Sequence, residues 1–256
     1  MSSSSNNQCS SKEIIAIIGA TNEISIGIIN KLDPDKYSLC LGYFKSESKA
    51  NLLCESLNKK GFDNIKIKIN CLSPNSIKNY IDSIINLYGS IDHLIILSGI
   101  SEKKGSAIDA DFIKIHEIIQ VNLTSAIYAS IYFSSIVKNI PKKKMRTITF
   151  ISSEAGTYGG DGIPIYAASK GGLNSFVKGL ARELGEMSIR VNAISPGIVI
   201  SGEHYNLNDD LKKEYSQKIP LGRLGEPNDI GNLISWLISE AANYISGAII
   251  PVAGGR

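Results

Sequence analysis

Glu13-Ile14-Ile15-Ala16-Ile17-Ile18-Gly19, followed by Ala20-Thr21-Asn22-Glu23-Ile24-Ser25-Ile26-Gly27, is the stretch on which the fold turns. Its first half is a short run of apolar, largely β-branched residues, the composition of a buried strand. Gly19 stops the run, and the apolar spacing then becomes helical over Ile24 to Leu32. A strand, a glycine turn and a helix open a βαβ unit, so the next expectation is a parallel partner strand.

That alternation continues to the end of the chain. Strands are expected at Glu13 to Ile18, Tyr37 to Phe44, Asn64 to Ile69, Ile91 to Leu97, Arg146 to Ser152, Ile189 to Ile194 and Ala248 to Val252. Helical patterns fall at Ile24 to Leu32, Glu47 to Lys59, Pro74 to Tyr88, Asp109 to Lys138, Pro164 to Leu184 and Pro227 to Ser239. Seven strands with helices between them predict a Rossmann-type, doubly wound α/β sheet of parallel strands with helices on both faces. There is no internal repeat and no Pro/Gly linker, so residues 12–256 are expected to form one domain after a Ser/Asn-rich, disordered tail at 1–11.

Composition narrows the function classes. The chain has 256 residues, 43% of them hydrophobic and 20% charged, with a net charge of +3. This balance suits a globular domain, and so small a charge leaves no nucleic-acid footprint. No apolar run nears the roughly 20 residues of a membrane span. Cys9, Cys40, Cys54 and Cys71 have neither paired metal-ligand spacing nor the density of a disulfide scaffold, which points to a reducing cytoplasm and to no metal. Met1 to Ser11 lacks the basic and apolar regions of a secretory signal.

In a doubly wound sheet, ligands bind outside the carboxyl ends of the strands. The turn Gly19 to Gly27 would present backbone N–H groups to a dinucleotide pyrophosphate at the positive end of a helix dipole. Gly19, Thr21, Asn22, Glu23, Ile24 and Ser25 are its candidate contacts. Only Gly19 stands at an expected glycine position, the next two being Glu23 and Ser25, so an ordinary strand-to-helix turn reads almost as well.

The stronger signal lies downstream. Ser153 follows the fifth strand, Tyr166-Ala167-Ala168-Ser169-Lys170 opens a helix, and Asn122 lies in an earlier helix within Val121-Asn122-Leu123-Thr124. Residues four apart share a helix face, so Tyr166 and Lys170 point the same way. Bringing a phenol of pKa about 10 down by about three units takes roughly 4 kcal/mol. An ammonium about 4 Å away contributes about that much at an effective dielectric near 20. Taken singly, these residues read as a surface pair, a strand-end hydroxyl and a helix kink.

Taken together and in order, Asn122, Ser153, Tyr166 and Lys170 resemble the short-chain dehydrogenase/reductase family. The resemblance covers essentially the whole chain after the tail. Ser195-Pro196-Gly197, the stretch Pro220-Leu221-Gly222-Arg223-Leu224-Gly225-Glu226-Pro227, Ile245-Ser246-Gly247 and Val252-Ala253-Gly254-Gly255 extend it. This set is most similar to the 3-oxoacyl-acyl-carrier-protein reductase branch.

The resemblance implies an NAD(P)-dependent oxidoreductase acting between CH–OH and C=O. Tyr166 would be the general acid, and Lys170 would lower its pKa and hold the nicotinamide ribose. Ser153 would orient the carbonyl, and Asn122 would order a relay water. Asn70 and Cys71 would lie near adenine, Leu97, Ser98 and Gly99 at the end of the fourth strand, and Pro196, Gly197, Val199 and Ser201 beside the nicotinamide. Gly42-Tyr43-Phe44-Lys45-Ser46 carries no acid to grip an adenosine ribose, and Lys45 would meet a 2′-phosphate, so NADPH is expected over NADH. The substrate would be a 3-oxoacyl thioester or a similar ketone, with acyl carrier protein as a possible partner. Lys142-Lys143-Lys144 reads as a solvated turn or as a docking spot for that acidic partner. The polar segment Ser201 to Pro220 is a candidate lid, and a homotetramer through Asp109 to Lys138 and Pro164 to Leu184 is implied.

Two departures keep other readings open. The family's Asn-Asn-Ala-Gly is Ile96-Leu97-Ser98-Gly99 here, and the glycine loop carries Glu23 and Ser25. The loop also resembles that of the enoyl-reductase branch, which lacks the later glycines but spaces its Tyr and Lys further apart. A catalytically impaired scaffold or regulator is one alternative, and a dehydrogenase for a sugar, steroid or small alcohol is another. From charge alone, Glu23→Gly is expected to tighten nucleotide binding in a fluorescence titration, and unchanged or weaker affinity would reveal a partner for the carboxylate.

Overall fold

A computed structural model describes residues 12–141 and 144–256. The proposed tail at 1–11, together with Lys142 and Lys143, lies outside the described residues. Seven strands form one sheet: β1 Glu13–Ile18, β2 Tyr37–Tyr43, β3 Asp63–Lys68, β4 His93–Ile96, β5 Arg146–Ile151, β6 Ile189–Pro196 and β7 Ile249–Val252. Their order is β3-β2-β1-β4-β5-β6-β7, and every pairing is parallel. The winding reverses between β1 and β4, which leaves a crevice at their carboxyl ends, beside Gly19 and Leu97.

The alternation of side chains along β1 explains why it is apolar throughout. Ile14, Ala16 and Ile18 face a core completed by Tyr80 and Ile81 of α3 (Pro74–Tyr88), Phe133 of α5 (Ser125–Val137) and Val177 of α7 (Pro164–Leu184). Ile15 and Ile17 face the opposite core, with Ile28 of α1 (Glu23–Ile29), Leu57 of α2 (Glu47–Lys59), and Ile230 and Ile234 of α9 (Pro227–Ile238). Both faces are covered, so after Glu13 every position on the strand is buried.

α2, α3 and α7 have the expected bounds. In α3, Ser73 accepts the Ser76 N–H, Pro74 opens the first turn and Gly89 closes the helix at φ +78°, so its limits were written in residues of known capping chemistry. The helix expected over Asp109 to Lys138 runs from Phe112 to Val137 as α4 (Phe112–Ile119), a π-turn at Gln120–Thr124 and α5 in unbroken succession, with a short 3₁₀ turn at Ala107–Asp109 before it. Two further helices lie outside the six helical patterns, α6 (Ala155–Tyr158) and, within the polar, weakly helical segment Ser201 to Pro220, α8 (Asp209–Gln217).

Of the lysine run, Lys144 is described. Lys144 pairs with Glu13 at 2.9 Å and with Glu240 at 3.3 Å, next to the amino end of β5. The six residues of that strand put roughly 20 Å between it and Ser153. Lys144 is therefore a partnered turn residue at the amino end of the strand.

α1 and α9 cross at two glycines. A Cβ on Gly231 would stand 2.1 Å from the Gly27 carbonyl oxygen, and one on Gly27 would stand 2.3 Å from the backbone of Pro227. Both obstacles are backbone, which cannot swing aside as a side chain does. Gly231→Val is expected to cost at least about 3 kcal/mol of stability by urea unfolding, and a loss below about 1 kcal/mol would show that the helices can separate without penalty.

Candidate active site

Lys170 lies at the centre of the crevice. Only 3% of the residue is exposed, and its Nζ donates to the Ile151 carbonyl at the end of β5, at 2.7 Å. Burial disfavours the ammonium and brings its pKa down to about 8. The same Nζ lies 5.6 Å from the centre of the Tyr166 ring, so the shared helix face expected from their spacing is present. A cation held in so dry a place interacts with a neighbouring phenol more strongly than it would in water.

The turn that carries Ser153 lies across α7. The Ser153 hydroxyl accepts the Ala155 N–H at 3.2 Å, starting α6. A Cβ on Gly156 would meet the Lys170 carbonyl carbon at 2.7 Å, so the turn rests directly on the helix beside Lys170. Ser152 fixes the same junction by donating to Asn174 Oδ1 at 2.6 Å. The neighbouring Glu154, only 8% exposed, was not singled out from sequence. Burial raises its carboxyl above the ordinary value, against the opposing charge of Arg256.

Asn122 sits in the π-turn, where the extra residue re-aims the side chain. Its Oδ1 accepts the Ile100 N–H at 2.8 Å, and its Nδ2 donates to the Ile100 carbonyl at 2.8 Å and to Ser169 Oγ at 3.0 Å. Ser169 in turn donates to the Tyr166 carbonyl at 2.7 Å. Both amide protons are therefore committed within the protein, and the second lone pair of Oδ1 is what the side chain retains for a water. Gly99 keeps space open in front of this group. A Cβ there would stand 3.4 Å from Lys170 Nζ and 3.6 Å from Asn122 Oδ1.

The turn expected to meet a nucleotide is built around Gly19. Its φ of +90° suits glycine, and a Cβ would come within 3.1 Å of the Ser98 backbone nitrogen, so the ends of β1 and β4 close on one another here. Asn22 caps α1, accepting the Ser25 N–H at 2.8 Å and donating to the Gly19 carbonyl at 3.1 Å. Thr21 and Ile24 flank it, half-buried. Ser25 is fully buried, and among the described residues its Oγ has no hydrogen-bond partner. Glu23 accepts the Gly202 N–H at 3.1 Å. The carboxylate thus ties the loop to the segment following Pro196, Gly197, Val199 and Ser201, a partner that charge reasoning could not reveal.

The remaining candidates surround the crevice at the strand ends. Asn70 turns back on itself, its Oδ1 accepting the Leu72 N–H at 3.0 Å, and Cys71 is half-buried with its thiol pushed up by burial. Leu97 is buried and Ser98 half-buried. Lys45 is exposed beyond β2, its Nζ 5.7 Å from the Phe44 ring centre. The space kept by Gly19 and Gly99, with Lys170 beneath it, fits a nicotinamide dinucleotide laid across the switch point.

The pKa of Lys170 has a signed consequence for stability. The folded chain releases this proton near pH 8, whereas an unfolded lysine holds it to about 10.5. Unfolding takes up a proton between those values, so stability rises with pH there, and the cost of burying the cation is fully present below about 8. In urea unfolding at stepped pH, the wild type should gain stability relative to Lys170→Met as pH rises from about 8 toward 10.5, with a constant difference below 8. A difference independent of pH throughout would contradict a buried cation.

The chain is similar to known proteins over nearly its whole length. A family model described as enoyl-(acyl carrier protein) reductase matches residues 19–256. The chain is 31% identical over 242 residues to 3-oxoacyl-(acyl-carrier-protein) reductase FabG of Staphylococcus epidermidis, covering 93% of this chain and 96% of that one. It is 34% identical over 244 residues to the FabG of Buchnera aphidicola, covering 95% and 97%. In fold it is similar to a short-chain dehydrogenase/reductase from Serratia marcescens, with a TM-score of 0.87, 22% identity, and 97% and 99% of the two chains covered. The protein gox2181 gives a TM-score of 0.88 at 22% identity, with 95% of each chain covered. With the seven-stranded sheet and the Tyr166–Lys170 pair in place, the chain belongs to the short-chain dehydrogenase/reductase family, the NAD(P)-dependent oxidoreductases of alcohols and carbonyls.

Proposed function

We propose that this chain is an NADPH-dependent reductase of 3-oxoacyl thioesters, or of ketones closely like them. The observation that carries the reading is the Lys170 ammonium, buried against the Ile151 carbonyl and 5.6 Å from the Tyr166 ring centre. Bound NADPH supplies a hydride to the carbonyl carbon. Ser153 holds the carbonyl oxygen, and Tyr166 passes its phenolic proton to that oxygen as the alkoxide forms. Lys170 stabilises the phenolate left behind, lowering the pKa of Tyr166. Asn122 fixes the loop bearing Ile100 and offers its remaining lone pair to a relay water. The FabG relatives support the thioester as substrate and an acyl carrier protein as its bearer.

The coenzyme preference rests on β2. Between Tyr43 and Ser46 there is no carboxylate, and Glu47 is engaged by Lys66 at 3.0 Å. The exposed Lys45 is thus left to meet a 2′-phosphate. We place residues 12–256 in one domain acting as a homotetramer in the cytoplasm, with 1–11 as a disordered tail. Tyr128 and Ile131, 45% and 52% exposed on α5, support a subunit contact through that helix. No described helix is long and apolar enough to cross a membrane.

Titration of the protein with NADPH and NADH by fluorescence quenching, followed by an absorbance assay with a 3-oxoacyl thioester, tests the reading. The expected result is tighter binding of NADPH than of NADH. Tyr166→Phe should lose at least about a hundredfold in kcat with unchanged NADPH affinity. Absence of binding by either nucleotide would instead favour a scaffold.

A further inference from the structure

The helix that carries Tyr166 and Lys170 has no cap of its own. Its N-cap is Ile163, which has no polar side chain, and Pro164 at the first position has no N–H. The next donors belong to Ile165 and to Tyr166 itself, and such first-turn groups need a partner from elsewhere. Glu102, 63 residues before Ile165, supplies it. Its Oε1 accepts the Ile165 N–H at 2.8 Å, and its Oε2 accepts the Tyr166 N–H at 3.0 Å.

The loop bearing Glu102 is held against the turn before α7 at further points. The Gly105 N–H donates to the Gly162 carbonyl at 2.9 Å, and Lys104 pairs with Asp161 at 3.1 Å. A Cβ on Gly162 would come within 2.6 Å of Lys104 Cγ. Lys104 and Asp161 are largely exposed, at 69% and 96%, so their pairing adds little. The half-buried carboxylate is the strong link, because hydrogen bonds to an ionised acceptor are short and a negative charge at a helix N-terminus meets the positive end of the dipole. Two residues earlier, Ile100 is gripped by Asn122. The chain after β4 is thus fastened on both sides of Ser101, to Asn122 of the π-turn before it and to α7 after it.

We propose that Glu102 is a positioning residue for Tyr166. It fixes the backbone of the proton donor by capping α7 from the β4 loop, and it touches neither substrate nor coenzyme. This inference rests on the reading of Tyr166 as proton donor. Glutamine at this position keeps an acceptor oxygen of the same reach, alanine keeps none, and aspartate is one methylene too short to serve both N–H groups.

The test is kinetic, with amide hydrogen exchange beside it. Glu102→Ala should lower kcat for a 3-oxoacyl thioester by about a hundredfold while NADPH affinity, read by fluorescence, stays unchanged. Glu102→Gln should recover kcat to within about tenfold of wild type, and Glu102→Asp should fall between. The Ile165 and Tyr166 amides should exchange faster in the alanine variant and remain protected in the glutamine one. If the alanine variant does not fold, the order wild type, glutamine, aspartate carries the same test. Equal kcat across the series overturns the inference, as does a loss of NADPH affinity in step with kcat, which would mark a general structural role. A wild-type enzyme silent toward every ketone overturns the functional reading beneath it, whereas an active wild type with a fully active alanine variant overturns this inference alone.

Discussion

The constraint on which the rest of the structure depends is the placement of a protonated amine in a dry crevice. An ammonium that gives up water loses several kcal/mol unless the protein returns hydrogen bonds and favourable charge. Lys170 receives one carbonyl, that of Ile151, where β5 ends. The carbonyl is available because it lies at the last residue of the strand, and the turn that follows packs on α7 beside the lysine through a glycine, Gly156. Strand length, the Ser153 turn and the register of α7 are therefore mutually fixed. A shift of one residue in any of them would leave the cation without its partner.

This arrangement is a local instability that the fold sustains. Below about pH 8 the folded chain holds a proton that an unfolded lysine holds more tightly, and the two apolar cores on either face of the sheet offset that cost. The crevice stays empty of side chains for the same reason. Gly19 stands where a Cβ would press on the β4 backbone end, and a Cβ at Gly99 would lie in contact with the lysine. What stabilises the domain lies within its layers, and what serves chemistry lies at the strand ends, where the backbone stops pairing with itself.

The fold was legible in the sequence because it is written locally. β1 is apolar at every position after its first because both faces are covered, and the limits of α3 are set by Ser73, Pro74 and Gly89. The Tyr166–Lys170 face follows from helical periodicity alone. What could not be read depends on contacts distant in sequence. The π-turn at Asn122 has no local signature, since Val121 and Leu123 suit a regular helix equally well, and it exists because the side chain must reach Ile100 and Ser169 at once. Glu23 looked like a bare charge at a phosphate loop, and its bond to the Gly202 N–H spans 179 positions. Lys144 is read with the same difficulty: sequence gives its charge but not its partners, Glu13 and Glu240, which lie 131 and 96 positions away.

The altered glycine loop finds its explanation in the same geometry. A third glycine in such loops serves the close approach of the first helix to its neighbours, and here that position is Ser25, fully buried. The close approach has been transferred two residues along, to Gly27, which meets Pro227 and Gly231 of α9 with no room for a Cβ on either side. The loop conformation, in turn, is held by the side chain of Asn22, which bonds both Gly19 and Ser25. With packing assigned to Gly27 and turn geometry to Asn22, positions 23 and 25 no longer require glycine. The departures are thus a redistribution of the loop's tasks among neighbouring residues, and they do not of themselves argue that nucleotide binding has been lost.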